Sequence, residues 1–320
     1  MKRFQKWPIR LIGVPFDGMG RKPGQAGAPA ALRAAGLEAA FSSHEVVSQP
    51  DFTLPEARAE RAPESGLLNE TALVKMVAAL YAEVSASLSA GHFPLVYGAD
   101  CSVLLAAVPA MRDAFSEPGL VFVDGHEDAT PIDRSPDGEA ANMEVAILLG
   151  LTGERLTHPL SRAVNALKPQ TLVMLGPRDQ PWRQERGVET IAGHVLLRNS
   201  EEVAADPAAV TRSAIESISS HASSWWLHTD LDVLSERDFF ARGAPGEIPL
   251  SGGLTWQQLT EVIQTALSAG GCRGWSLAIY NPDLDPDGSQ ARRIVQLVIE
   301  IAPHLFWKSD PHDCRSISVA

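Results

Sequence analysis

Leu120-Val121-Phe122-Val123-Asp124-Gly125-His126-Glu127-Asp128 joins a short apolar run to an alternating polar one. Leu120 to Val123 has the length and composition of a buried strand. Beyond it Asp124, His126 and Asp128 fall at every second position, so an extended chain would turn all three side chains to one side. Two carboxylates and an imidazole converging beside a buried strand are costly unless a cation sits among them. Oxygen and imidazole donors suit Mn, Zn, Fe or Ni. The alternative for the same residues is a helix start with two capping aspartates and a surface histidine.

A second stretch repeats the plan. Trp225-Trp226-Leu227-His228-Thr229-Asp230-Leu231-Asp232-Val233-Leu234 is again an apolar run followed by acids at alternating positions, Asp230 and Asp232. Strands that end in spaced acids suit a parallel α/β sheet, where ligands bind outside the carboxyl ends of the strands. Asp124, Asp128, Asp230 and Asp232 bring about four negative charges, which two divalent cations would neutralise.

Composition narrows the class. The chain has 320 residues, 45% hydrophobic and 21% charged, with a formal net charge of −12. That balance fits an ordinary soluble protein and argues against a nucleic-acid or anionic-membrane partner. The basic start, Met1 to Pro8, is followed by no apolar region of signal-peptide length. No apolar run suggests a membrane span either. Cys101, Cys272 and Cys314 form no disulfide framework, which suits a reducing cytoplasm.

Outward from the two acid-tipped strands, strands and helices alternate. Arg10 to Pro15 reads as a first strand, running into the glycine-rich loop Gly18 to Gly27. That loop lacks the spacing of a phosphate-binding fingerprint and is read as connective or substrate-facing. A helix follows near Pro29 and stops at Gly36. Residues 45–70 read as a long surface connection. Leu73, Val77, Leu80, Val84 and Leu88 then trace one helical face, and Pro94 to Tyr97 makes the next strand. Cys101 falls at the turn after that strand, as a small buried hydrophobe or as a thiolate ligand or nucleophile at a helix start. Glu139 and Glu144 are the acids beyond Asp128 that could reach a site, or else surface charges. Thr171 to Leu175 and Trp275 to Ile279 complete the strands. Thr255 and Gln258 have capping-box spacing, and the acids of Asp283 to Asp287 suggest an ordinary turn. The alternation across residues 1–320 predicts a single α/β domain with a mostly parallel sheet.

With these motifs in hand, the chain resembles the arginase (ureohydrolase) family nearly end to end. Ile12-Gly13-Val14-Pro15-Phe16 and Gly27-Ala28-Pro29 with Leu32-Arg33 look like its opening. Gly98-Ala99-Asp100-Cys101-Ser102 is similar to its Gly-Gly-Asp-His-Ser, Asp124-Gly125-His126-Glu127-Asp128 to its Asp-Ala-His-x-Asp, and Thr229-Asp230-Leu231-Asp232 to its Ser-x-Asp-x-Asp. Gly176-Pro177-Arg178-Asp179, Gly252-Gly253-Leu254-Thr255 and Asn281-Pro282 fit too.

The resemblance implies a three-layer α/β/α fold, a homo-oligomer, and a divalent metal centre of one or two ions, manganese by family. It implies a hydroxide that attacks the amidine or guanidinium carbon of a small-molecule substrate while an amine leaves. By position Asp124 and Asp230 would bridge the metals, His126 and Asp232 would complete one site, and Asp128 and Cys101 the other. Asp128, Glu139 and Glu144 are the expected catalytic acids, and Asp179 and Asn142 the expected substrate contacts. Four departures stand out. Cys101 occupies the place of a histidine ligand, which favours Zn, Fe or Ni. Ser235-Glu236 replaces an Asp-Pro, and the proton-shuttling histidine expected near Ala141 or Asn142 is missing. Ile279 stands where a glutamate would clamp a guanidinium, so a charge-assisted hydrogen bond to substrate is lost. These departures argue against arginase itself. They leave a hydrolase of a linear C–N bond, a lapsed member serving as a ligand-binding or assembly subunit, or a cysteine-nucleophile enzyme.

Overall fold

The computed structural model describes residues 5–243 and 250–307; Cys314 lies outside them. Chain order begins β1 (Gln5–Lys6), β2 (Ile9–Gly13), α1 (Ala28–Ala34), β3 (Val46–Ser48), α2 (Glu70–Ser89), β4 (Phe93–Tyr97), α3 (Leu104–Phe115) and β5 (Pro118–Val123). It continues with α4 (Glu144–Leu148), β6 (Leu172–Leu175), α5 (Gln180–Arg186), β7 (Leu196–Arg198), α6 (Ser200–Ala205), α7 (Pro207–Ser219) and β8 (Ser224–Asp230). The remainder is α8 (Trp256–Ala269), β9 (Cys272–Ala278), α9 (Ser289–Ile301) and β10 (Phe306–Trp307).

Eight of these strands form one sheet in the order β3-β2-β4-β9-β8-β5-β6-β7. Every neighbouring pair in it is parallel. A sheet covered by helices on both faces needs apolar residues on both sides of each strand. Val121 and Val123 accordingly join the core under α1, α7, α8 and α9, while Leu120 and Phe122 join the core under α2, α3 and α4. Trp225 and Leu227 divide from Trp226 in the same way. The expected three layers and mostly parallel sheet are therefore present, and the Thr255–Gln258 capping box starts α8.

Several expectations need correction. The connection over residues 45–70 contains β3, a parallel edge strand too short to show a period. Trp275 to Ile279 is not the last strand, since β10 pairs antiparallel with β1. By length and composition α2 is apolar enough to cross a membrane. Its stripe of Leu73, Met76, Val77, Leu80 and Val84 is buried instead in the core it shares with α3 and β4.

Because the sheet is parallel, β4, β9, β8 and β5, consecutive in it, all end at one edge. Cys101, Ile279 and Asp124 follow the ends of β4, β9 and β5, and Asp230 is the last residue of β8.

Candidate metal centre

Asp124 to Asp128 do not continue β5 as an extended strand: Asp128 has φ of +44°. The period-two argument thus reaches the right residues by the wrong route. Convergence comes instead from a folded turn held by its own acids. The His126 N–H donates to Asp124 Oδ1 at 2.7 Å, and the Gly125 N–H donates to Asp232 Oδ1 at 3.1 Å. The Asp232 N–H donates to Asp230 Oδ1 at 2.6 Å, which shapes the second acid pair in the same way. Arg178 ties the two turns together. Its N–H donates to Gly125 O at 2.8 Å, and its Nη2 donates to Asp232 O at 2.7 Å and Leu234 O at 3.1 Å. A Cβ on Gly125 would lie 2.6 Å from Arg178 Nη1 and 2.9 Å from Asp232 O, so a larger residue there would require this junction of the two turns to shift.

Two groups of donor atoms result, with Asp124 common to both. In the first, Asp124, His126 and Asp232 bring their ligand-type atoms within 4.8 Å of one another. His126 Nδ1 lies 3.0 Å from Asp232 Oδ2 and 3.6 Å from Asp124 Oδ1. In the second, Cys101 is the hub. It meets Asp124 and His228 in one such triplet, and Asp128 and Glu144 in another, under the same 4.8 Å limit. Its thiol donates to Asp230 Oδ2 at 2.9 Å and points at Asp124 Oδ2 from 3.7 Å. All six expected ligands therefore meet at one place.

The electrostatics are those of a site short of positive charge. Burial, with Asp232 adding to it, pushes the Asp124 carboxyl up to about 7. Burial and the neighbouring carboxylates of Asp230 and Asp124 push the Cys101 thiol up, and burial with Asp124 pushes Glu144 up. Burial lowers His228 to about 3. Glu144 has no exposed surface, yet neither of its carboxylate oxygens has a hydrogen-bond partner. Its neighbour Asp128 offers another acceptor. His228 is equally buried, and its Nε2 is also unpartnered. Orphaned buried acceptors are rare in folded proteins. A divalent ion would satisfy them and offset the crowded carboxylates, so the donor set fits a metal.

Other expected site residues fall elsewhere. Glu139 is not in either donor group: it accepts from Asn142 Nδ2 at 3.3 Å, and burial with the charge of Asp100 pushes its carboxyl well above the usual range. Asn142 is thereby engaged with Glu139. Asp179 lines a cavity of about 990 Å³ with Glu127, Arg178, Arg183 and Ser200, but none of the clustered acids lines it. Both Asp179 oxygens are already taken, by the Glu127 N–H at 3.2 Å and Arg183 Nε at 3.1 Å. The site residue that sequence reading passed over is His228. Its signal was present, since it lies two positions before Asp230 on the same strand and so shares that face. Two positions before the first acid is also where Ser-x-Asp-x-Asp carries its serine, so His228 rather than Thr229 occupies that place.

One wall of the site is apolar. Cys101, Ala141 and Ala278 are buried together, with Ile279 packed against them. Ile279 has φ of +73°, and its N–H donates to Ala99 O at 3.0 Å. A β-branched residue in that region is strained by about 1–3 kcal/mol, a cost that concentrates at functional sites.

Known proteins resemble the chain over nearly its whole length. The model of the arginase family matches residues 8–303. The arginase of Bacillus caldovelox is 27% identical over 303 residues, covering 91% of this chain and 96% of that protein. The arginase of Staphylococcus aureus (strain MRSA252) is 26% identical over 304 residues, covering 92% and 96%. The native structure of the Bacillus caldovelox arginase at pH 5.6 superposes with a TM-score of 0.77 at 24% identity, covering 92% of this chain and 98% of that one.

Proposed function

Since the chain belongs to the arginase family, we propose that it is a metal-dependent hydrolase of a linear C–N bond in a small amidino or amide-like compound. The observation that carries this reading is the pair of donor groups sharing Asp124, with unpartnered acceptors buried among them. Asp124, His126 and Asp232 would hold one ion; Cys101, Asp128 and Asp230 would contribute to a second, with Glu144 beside them. Bound divalent ions supply positive charge that acidifies water and stabilises a tetrahedral centre. The chain's own groups do the rest. Arg178 fixes the spacing of the two acid turns, and the wall of Ala141, Ala278 and Ile279 would keep water from one side of a substrate bound there. Glu139, which accepts from Asn142, would take up a proton outside the donor groups. Manganese, a homo-oligomer and a cytoplasmic location belong to the same proposal.

The apolar wall bears on substrate. A guanidinium needs acceptors around it, and Ile279 provides none. A neutral or singly amidino group is the better match. The same wall favours a second reading, a family member that binds such a compound without turning it over. One experiment separates the two. Purified protein is loaded with Mn²⁺, Ni²⁺, Co²⁺ or Zn²⁺ and tested against a panel of amidines, guanidines and amides for release of amine. Chelator-sensitive turnover of at least one compound supports the hydrolase. Saturable binding without turnover supports the second reading, and neither bound metal nor turnover removes the hydrolase.

A further inference from the structure

His228 sits near the end of β8 with no exposed surface, sandwiched between two polar demands. On one side its Nδ1 is 2.7 Å from Ser276 Oγ, which also accepts from Trp226 Nε1 at 2.9 Å. Its ring stacks on Phe122, with centroids 5.3 Å apart and planes 18° from parallel. The imidazole is therefore held in one orientation by a hydrogen bond, a strand and a stacked ring. On the other side Nε2 has no partner, and a ring nitrogen of His228 lies within 4.8 Å of both Cys101 Sγ and an Asp124 carboxylate oxygen.

A histidine kept in the core only for packing would be expected to have both nitrogens satisfied. A metal-binding histidine has the opposite signature: one nitrogen bonded to a fixed group and the other aimed at a cluster of anionic donors. The tautomer required is consistent with the neighbours. With Nδ1–H donating, Ser276 Oγ uses its two lone pairs for His228 and Trp226, and Nε2 carries the lone pair.

We propose that His228 Nε2 is a metal ligand, and that with Cys101 Sγ and Asp124 it forms a thiolate–imidazole–carboxylate position at this edge of the sheet. The inference rests on the metal-dependent reading above. Its content is that the imidazole missing at position 101 is supplied from β8, across the sheet, so Cys101 does not merely weaken the site. A sulfur, a nitrogen and an oxygen donor favour Zn²⁺ or Co²⁺ over Mn²⁺. The two donor groups would then prefer different ions, a softer one at Cys101–His228 and a harder one at His126–Asp232.

The test is Co²⁺ titration of the full chain, followed by electronic absorption and by X-ray absorption at the cobalt edge. Wild type should show a thiolate-to-cobalt charge-transfer band. His228→Asn, which keeps a polar group toward Ser276, should lose at least about tenfold in affinity for the thiolate-bound ion, given that second-shell changes alone cost about 10- to 100-fold. Retention of band and affinity in His228→Asn overturns the inference while leaving the hydrolase reading standing. No cobalt bound by wild type removes both. Should His228→Asn fail to fold, His126→Asn decides, because it removes the other histidine of the donor groups. Imidazole scattering together with the charge-transfer band is then expected from His228, and a sulfur signal without imidazole overturns the assignment.

Discussion

The two donor groups that share Asp124 differ in how they stand without an ion. Around His126 and Asp232 every charge has company. The His126 side chain is 26% exposed and ion-pairs with two aspartates. Although burial acts the other way, His126 and the guanidiniums of Arg242 and Arg178 hold the Asp232 carboxyl below its usual range. Around Cys101 the opposite holds. Asp128, Glu144 and Asp230 are buried acids, all raised first by burial and then by one another's charge or that of Asp124 or Asp232. Glu144 and His228 end in unpartnered atoms. The first group is self-compensated, so losing its ion costs function before structure. The second is a set of buried acceptors that a cation would satisfy, where removing one partner of that pairing would leave charge uncompensated.

The largest effect expected is at the residue common to both groups. Asp124→Asn should weaken metal binding on both sides and lower kcat/KM by well over about 100-fold, beyond the range of changes that only touch a ligand's support. A variant with full metal content and near-normal rates would break the idea that the groups share a centre. Metal removal should come next. At free Zn²⁺ a hundred times Kd the ion adds about 2.7 kcal/mol of stability, seen as several degrees of Tm lost on chelation. Cys101→Ala should shrink that shift for Zn²⁺ more than for Mn²⁺; equal shrinkage would contradict the division into a softer and a harder position. Ile279→Glu returns an acceptor to the apolar wall. It should lower KM for a guanidinium compound by about tenfold, the worth of one charge-assisted hydrogen bond of about 1.5–3 kcal/mol after its desolvation is met. Steady-state kinetics with arginine or agmatine checks this, and an unchanged KM would mean that substrate does not lie against Ile279.

The same contrast explains what the sequence showed and what it hid. Strands β5 and β8 were legible because a run buried on both faces is apolar throughout and then stops at an acid. The acids Asp124, Asp128, Asp230 and Asp232 were legible because charge at the end of such a run has little structural use. Strand β3 was hidden because Val46–Ser48 is too short to show a period, whereas α2 was legible from its apolar stripe of Leu73, Val77, Leu80 and Val84. His228 was harder to see than His126 for a physical reason. It lies inside the strand, where a single polar residue reads as a tolerated core histidine, and only the three-dimensional neighbours reveal its bare Nε2. Glu139 and Glu144 looked alike in sequence, five positions apart, yet a 3₁₀ turn between them sends one toward Asn142 and the other into the donor group.

Glu144 gives the smallest of these effects and the one with the most informative sign. Its carboxyl is buried among Cys101 and Asp128, and burial with the charge of Asp124 pushes it above its usual range. Folding near pH 7 must therefore protonate it or bury its charge, a cost that Glu144→Gln removes while setting an amide N–H beside Asp128. The chelated protein should therefore be more stable by about 1 kcal/mol near pH 7, as expected when a buried ionisable group is replaced by a neutral one of the same shape. With Zn²⁺ present the order should reverse, because the amide is a poorer partner for the ion than the carboxylate. Denaturant melts of both proteins, each with metal and with chelator, measure the crossing. If the substitution destabilises both forms alike, Glu144 is only filling space, and the need for a cation in the Cys101 group rests on His228 alone.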